Sequence, residues 1–228
     1  MAERKNLLIL RLEGALQSWG ENAKWDFRDS SSMPTKSGIV GLLGCAMGLE
    51  RNSEVLAELA QNITIAVRVD RPGEKFVDFQ TITGEPLINA LGKPRKIDGK
   101  PANTVTSSRC YLQDACFTVF LETSEEWQKR ILAALEDPKW CMYLGRKNCV
   151  PSRPVLECKD AAFPSLEAAL REYPVAERAE FPMVYEMEQT DGTAASLLRP
   201  DDLIGSNRQF GLRRVWRGVI KEVPHVSD

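Results

Sequence analysis

PTKSGIVGLLGCAMGLER, residues 34–51, reads as a helix, and the order of the surrounding elements follows from that reading. It keeps four glycines, Gly38, Gly41, Gly44 and Gly48, although each costs roughly 1 kcal/mol against alanine in a helix interior. Spacings of three, three and four place them within about a third of the helix circumference. One face of the helix is therefore bare backbone. Two uses of such a face are compatible: close packing against a sheet, and close approach by a ligand backbone. Thr35 or Ser37 supplies the cap, with Pro34 just ahead of it. At the helix start, Lys36, Ser37 and Gly38 offer unpaired N–H groups and the positive dipole end, and Lys36 adds a charge; together these make an anion site. TKSG is not a P-loop, because Ser30 and Thr35 stand where a Walker A motif needs glycine.

Upstream, Asn6 to Leu12 is a Leu/Ile-rich run suited to a central strand, and it ends at Gly14. The polar, aromatic-dotted residues up to the glycine helix form a loop long enough to expect function there. Downstream, Ser53 to Ala60 predicts a short helix with Leu56 and Leu59 inward. ITIAVRVD, residues 63–70, alternates as a strand, and RPG at 71–73 turns it into a partner, KFVDFQT. Residues 83–108, rich in Gly, Pro and Lys, are expected to protrude or to be disordered. YLQDACFTVFLE, residues 111–122, reads as one long strand. Thr123 with Glu126 is a capping-box pattern for a helix to about Glu136, with Trp127, Ile131 and Leu135 inward. A short strand is expected at Trp140 to Leu144. Strand, helix, strand, strand, helix, strand describes an α+β, ferredoxin-like or RRM-like unit, with 83–108 inserted in a hairpin. The expected division is that unit over 1–154 and a smaller, irregular, β-rich C-terminal part over 155–228 packed on it. Within the latter, a helix is expected at 164–172 and strands at 182–188 and 213–221.

The 228 residues are 43% hydrophobic and 27% charged, an ordinary globular composition. A formal net charge of -2 argues against coating nucleic acid by bulk charge, so any phosphate binding must be local. Acidic residues dominate between Glu157 and Asp191, whereas Arg208, Arg213, Arg214, Arg217 and Lys221 dominate later, which leaves room for a basic face. The six cysteines include no C-x-x-C pair, and the single histidine is His225, so no metal site is expected. Neither a signal segment nor a membrane-length apolar run is apparent, and the expectation is a cytoplasmic protein with reduced thiols. KPRKIDGK, residues 93–100, carries Lys93, Arg95 and Lys96: either a solvated loop or an arm that orders along a phosphate backbone. In GRKNCVPSRP, residues 145–154, Gly145 frees the backbone while Arg146, Lys147 and Arg153 converge, which suits phosphate. Trp19, Trp25, Phe27 and Tyr111 are either core residues or platforms for splayed bases. With no histidine in the folded body, no catalytic residue and no cofactor are assigned, and a binding module is favoured over an enzyme.

LLILRLEGALQSWG, PTKSGIVGLLGCAMGLER, VRVDRPG, YLQDACFTVFLE and LGRKNCVPSRP occur in that order over most of the first two thirds of the chain. Together they resemble Cas family 5 of the CRISPR-associated RAMP proteins, as found in type I-E Cascade; after about residue 155 the likeness thins. The resemblance implies an RRM-like domain with a projecting β-hairpin thumb, here the 83–108 insertion. It also implies a non-catalytic subunit that caps the complex backbone and grips the 5′ handle of the crRNA. The implied partners are crRNA, the Cas family 7 backbone subunit and the large subunit, with no membrane. Gly41, Arg28 and Arg109 complete the candidate RNA-binding set. Some type I-C relatives cut precursor crRNA with a tyrosine, lysine and histidine set, so a metal-independent endoribonuclease is the alternative.

Overall fold

The computed structural model describes residues 5–21, 26–88, 92–94, 96–101, 103–189, 197–205 and 209–222. A seven-stranded antiparallel sheet dominates it. In spatial order its strands are β10 (Leu156–Phe163), β1 (Lys5–Glu13), β9 (Cys116–Thr123), β4 (Ile63–Arg71), β11 (Met183–Glu188), β13 (Gln209–Ile220) and β12 (Leu197–Gly205). Residues Leu8, Leu10 and Leu12 of β1 belong to the core beneath α1 (Lys36–Met47), α2 (Glu54–Asn62) and α3 (Glu125–Glu136). Leu7 and Ile9 belong to a second core beneath α4 (Leu166–Glu172). Because side chains alternate along a strand, burial on both faces is what makes this run continuously apolar.

Polar staples cross the α4 face. The buried Asp70 carboxylate receives Arg11 Nη1 at 2.5 Å, Arg68 Nε at 2.6 Å, Thr118 Oγ1 at 2.9 Å and the Ala176 amide at 2.8 Å. Arg68 also donates to the carbonyls of Leu170, Tyr173 and Pro174 at 2.8–3.0 Å. This tethers the end of α4 to the sheet, and each buried guanidinium faces the Asp70 charge, with Arg11 Nε alone of the Arg11 and Arg68 nitrogens left without a partner.

A second sheet leaves the first at a bend. Asp114 adopts a left-handed backbone (φ 55°), so the expected strand 111–122 splits into β8 (Thr104–Gln113) and β9. β8 pairs with β2 (Leu16–Gln17), β3 (Phe27–Arg28) and β5 (Glu74–Thr83). The β5–β8 ladder runs from Glu74↔Gln113 to Thr83↔Thr104, so the hairpin arms extend beyond the expected 83–108 limits on both sides. β6 (Lys96–Ile97) and β7 (Lys100–Pro101) form a small ladder at its tip.

Other expectations shift for local reasons. The α3 cap is Ser124, whose hydroxyl accepts from the Trp127 amide, while Thr123 Oγ1 donates to the Asn62 carbonyl at 2.7 Å. Residues 140–144 form no strand. Leu144 instead closes a turn, its amide donating to the Cys149 carbonyl at 2.7 Å, and its carbonyl accepts from Ser18 N at 3.0 Å. The end strand beside β1 is β10. Residues after 154 supply four of the seven strands of the main sheet, so the expected division falls inside one continuous sheet. β12 was not expected, because Pro200 and two aspartates are poor strand formers; it tolerates them as the end strand, with a register shift between Arg199 and Asp202.

Candidate nucleic-acid interface

Thr35 caps α1, its hydroxyl accepting from the Gly38 amide at 3.1 Å, and Gly48 ends the helix in the left-handed conformation at φ 69°. Two of the other glycines serve packing. A Cβ on Gly38 would lie 2.8 Å from the Trp19 ring, and one on Gly44 would lie 2.3 Å from Leu56 Cδ2. Gly41 differs: a Cβ there would meet nothing within 4 Å, and the residue is exposed. It lies on the floor of a groove of about 890 Å³. One wall comes from Trp140, Cys141, Tyr143, Gly145 and Lys147, and the other from Leu203 and Phe210, with Arg51 also lining it. No carboxylate side chain lines the groove among the described residues, whereas Arg51 and Lys147 do. Burial, then the neighbouring Cys141, pushes the Cys45 thiol up despite Lys147, so Cys45 stays protonated and adds no negative charge.

Gly145 is fixed by geometry: at φ 91°, an added Cβ would lie 1.7 Å from the Ser18 carbonyl oxygen. The loop is thus held against the Ser18 backbone without a side chain between them.

The groove unites Ser37, Gly38, Gly41, Gly145 and Lys147, with Trp19 as a buried wall. Four sequence-based assignments change character. Lys36 is buried, its amide donating to Asp201 at 2.8 Å and its ammonium contacting Glu188 at 2.8 Å and Asp202 at 3.3 Å. The expected open anion site at this helix end is therefore already filled by acidic residues of this chain. Burial pushes the Asp201 carboxyl up, but Arg213 and the Lys36 amide outweigh it and hold the group below its usual range. Arg146 donates to the carbonyls of Cys110, Arg28 and Asp29 at 3.1–3.2 Å and lies 4.7 Å above the Tyr111 ring, a strut rather than an open phosphate contact. Tyr111 is 1% exposed beneath it and Trp19 is 1% exposed beneath Gly38, so both aromatics are core.

Other candidates lie apart from the groove. Arg28 and Arg109 are partly buried partners in the β3–β8 register. Lys93 and Lys96 are exposed on the hairpin, and Arg153 pairs with Glu157; Arg95 lies outside the described residues. The expected basic face is reduced by ion pairing: within the sheet Arg213 meets Asp201 at 2.8 Å and Arg217 meets Glu186, and Arg199 meets Glu21 of the loop after β2 at 2.7 Å. Arg208 lies outside the described residues, while Arg214 and Lys221 are exposed.

Sequence reasoning missed Arg51, Trp140, Tyr143 and Phe210. Arg51 follows the Gly48 stop of the helix, a usable signal; Trp140 and Tyr143 sat in the run misread as a strand. Among the described residues no cluster of three or more His, Cys, Asp or Glu side chains could hold a metal ion. Nor is any described helix long and apolar enough to cross a membrane.

A family model described as CRISPR-associated protein (Cas_Cas5) matches residues 7–216. The chain belongs to the Cas5 family. This Cas5 chain is 30% identical to the "CRISPR system Cascade subunit CasD" of Escherichia coli (strain K12), across 98% of the chain and 100% of the relative. A solved structure described as "CRISPR RNA-guided surveillance complex" superposes with a TM-score of 0.77 at 30% identity, covering 94% of this Cas5 chain and 90% of that one. Another, "Crystal structure of Cas protein", gives 0.70 at 32% identity, covering 94% and 95%. The mixed α/β architecture with antiparallel sheets is that of these Cas5-like structures.

Proposed function

We propose that this chain is a non-catalytic subunit of a Cascade-type complex that caps the backbone and holds the 5′ handle of the crRNA. The observation that carries the reading is the groove over Gly41, which presents Arg51 and Lys147 and, among the described residues, no carboxylate, in a protein with 32 acidic residues. A cleft whose described lining carries cations and no carboxylate, in an acidic chain, favours an anionic occupant there. Gly41 adds to this, because its missing side chain serves no packing contact and leaves the helix open to close approach.

The finer architecture is part of the same proposal. The order β10-β1-β9-β4, with α1 and α3 over one face, supports an RRM-like unit whose fourth strand is β10. The β5–β8 hairpin serves as the thumb, contacting RNA and a Cas family 7 backbone subunit, and other faces meet the large subunit. Ser37, Gly38, Gly145 and Lys147 border the RNA, with Lys93, Lys96, Arg28, Arg109 and Arg153 as outlying contacts. Lys36, Arg146, Trp19 and Tyr111 support the site from behind.

Co-purification tests the proposal. The tagged chain, drawn from cells carrying the array, is expected to bring a guide RNA and large protein partners. Purified chain incubated with repeat RNA without metal is expected to leave it intact. Capture without RNA, or one specific cut, overturns the reading.

A further inference from the structure

Residues 139–141 run against the second half of α1. The Lys139 amide donates to the Ala46 carbonyl at 2.8 Å, and the Cys45 thiol donates to the Cys141 carbonyl at 3.3 Å, with the Trp140 carbonyl 4.0 Å away. Two cysteines 96 positions apart in the chain therefore meet where one wall of the groove joins its floor, and both line the groove. A disulfide needs Cα atoms about 4.4–6.8 Å apart, and a thiol hydrogen-bonded to its partner's own carbonyl lies within side-chain reach of that partner's sulfur. The two thiols are unequal. Cys141 is the one exposed cysteine of the six, whereas Cys45 is half-buried. Burial, and then the nearby Cys141, pushes the Cys45 thiol up despite Lys147, so Cys45 stays protonated. An accessible thiol beside a held-back one is the arrangement of a sensor cysteine and its resolving partner.

We propose that Cys141 and Cys45 form a reversible disulfide when the chain meets hydrogen peroxide, locking the wall that carries Trp140 and Tyr143 to the floor of the groove. Cys141, having given up its proton, attacks one peroxide oxygen; the O–O bond breaks, and the leaving hydroxide recovers that proton as water. Cys141 is then a sulfenic acid. The Cys45 sulfur attacks the Cys141 sulfur, the S–S bond forms as the S–O bond breaks, and the departing hydroxide takes the Cys45 proton. Both sulfurs are oxidised, and one peroxide is reduced to two waters. In a compartment that keeps thiols reduced, such a bridge is transient and is reopened by thiol exchange. Cys45 stands four residues after Gly41, on the same side of α1. The bridge therefore narrows the approach to the open helix backbone, and the inference does not depend on what occupies the groove.

The test takes the purified full chain, reduced and then titrated with hydrogen peroxide. Two of the six thiols should be lost, and a non-reduced digest should hold the Cys45 and Cys141 peptides joined with two hydrogens missing. The melting temperature should rise by about 5–10 °C, and dithiothreitol should reverse all three changes. Cys141→Ser, at an exposed position, should abolish the rise and leave Cys45 unmodified at the same peroxide dose. Cys45→Ser should strand Cys141 as a sulfenic acid that dimedone captures, and Cys158→Ser, on β10, should respond as the unaltered chain does. Oxidation of Cys141 to the sulfinic acid with Cys45 still free overturns the proposal. So does a Cys141 bridge to another cysteine or to a second chain. A Cys45 to Cys141 bridge that leaves the melting temperature unmoved overturns the lock.

Discussion

Asp70 holds two guanidinium groups, Arg11 and Arg68, and it is 0% exposed. Asp70→Asn keeps the shape but strands two buried cations, and removing one partner of such a network costs about 3–5 kcal/mol. Chemical denaturation of the variant should show a loss of that size, far above a typical surface change. Two glycines separate fold from function in the same way. Gly145→Ala forces a Cβ into the Ser18 carbonyl at a positive φ and should destabilise the chain outright. Gly41→Ala meets nothing in the fold and should raise stability by up to about 1 kcal/mol while lowering guide occupancy. Paired thermal melts and RNA-to-protein ratios check both, and a Gly41→Ala chain with full guide occupancy would show that close approach at this helix is not needed. Asp201 gives a pH signature. Its folded carboxyl sits below the ordinary value of 3.8, so its stabilisation is complete above that value and is lost as pH falls through the lower folded one. Acid titration of Asp201→Asn should lack that component.

Among the elements, the β5–β8 hairpin is the least self-sufficient. Val77 and Phe79 lie on one face of β5 and are 55% and 66% exposed, and a strand that shows apolar side chains to solvent invites association. Val77→Thr with Phe79→Ser should leave the melting behaviour of the chain within about 0.5 kcal/mol, yet reduce self-association and weaken entry into the complex. Sedimentation of the isolated chain and pull-down with partners separate the two effects; unchanged assembly would place the partner surface elsewhere. The elements differed sharply in how legible they were. α1, α3, α4, β4 and β11 follow from periodicity, caps and β-branched runs, which are local properties of the chain. The break between β8 and β9 was not legible, because Asp114 can turn left-handed only where the second sheet needs β8 to leave the first. Trp140 to Leu144 has strand composition, but the turn to Cys149 and the bond to Ser18 take its backbone groups. At the site, the glycine face was readable from spacing. The burial of Lys36 was not, since it depends on Asp201, Asp202 and Glu188 arriving from elements more than 150 residues away.

Over the whole molecule, charge segregation along the sequence turns into charge pairing in space. Glu186 of β11 meets Arg217 on the neighbouring β13 and Arg199 on β12, one strand further out. The late arginines therefore stabilise the C-terminal half of the sheet more than they build a basic surface, which fits a net charge of -2. RNA binding by such a chain must depend on few phosphate contacts, and that has a measurable form. Each phosphate neutralised on a single strand contributes a slope of about 0.7 in the logarithm of affinity against the logarithm of salt. With Arg51 and Lys147 as the two groove cations, their share of the slope is about 1.4. Lys147→Ala should lower the total by about 0.7, and adding Arg51→Ala should lower it by as much again. Arg146→Ala should behave differently, because its guanidinium is engaged with three carbonyls: stability falls while the salt slope of the folded fraction stays unchanged. Anisotropy titrations of labelled RNA over a salt series, beside melts of the same variants, distinguish the two behaviours. A slope that falls with Arg146→Ala but not with Lys147→Ala would reverse their assigned roles and move the strand to the far side of the loop.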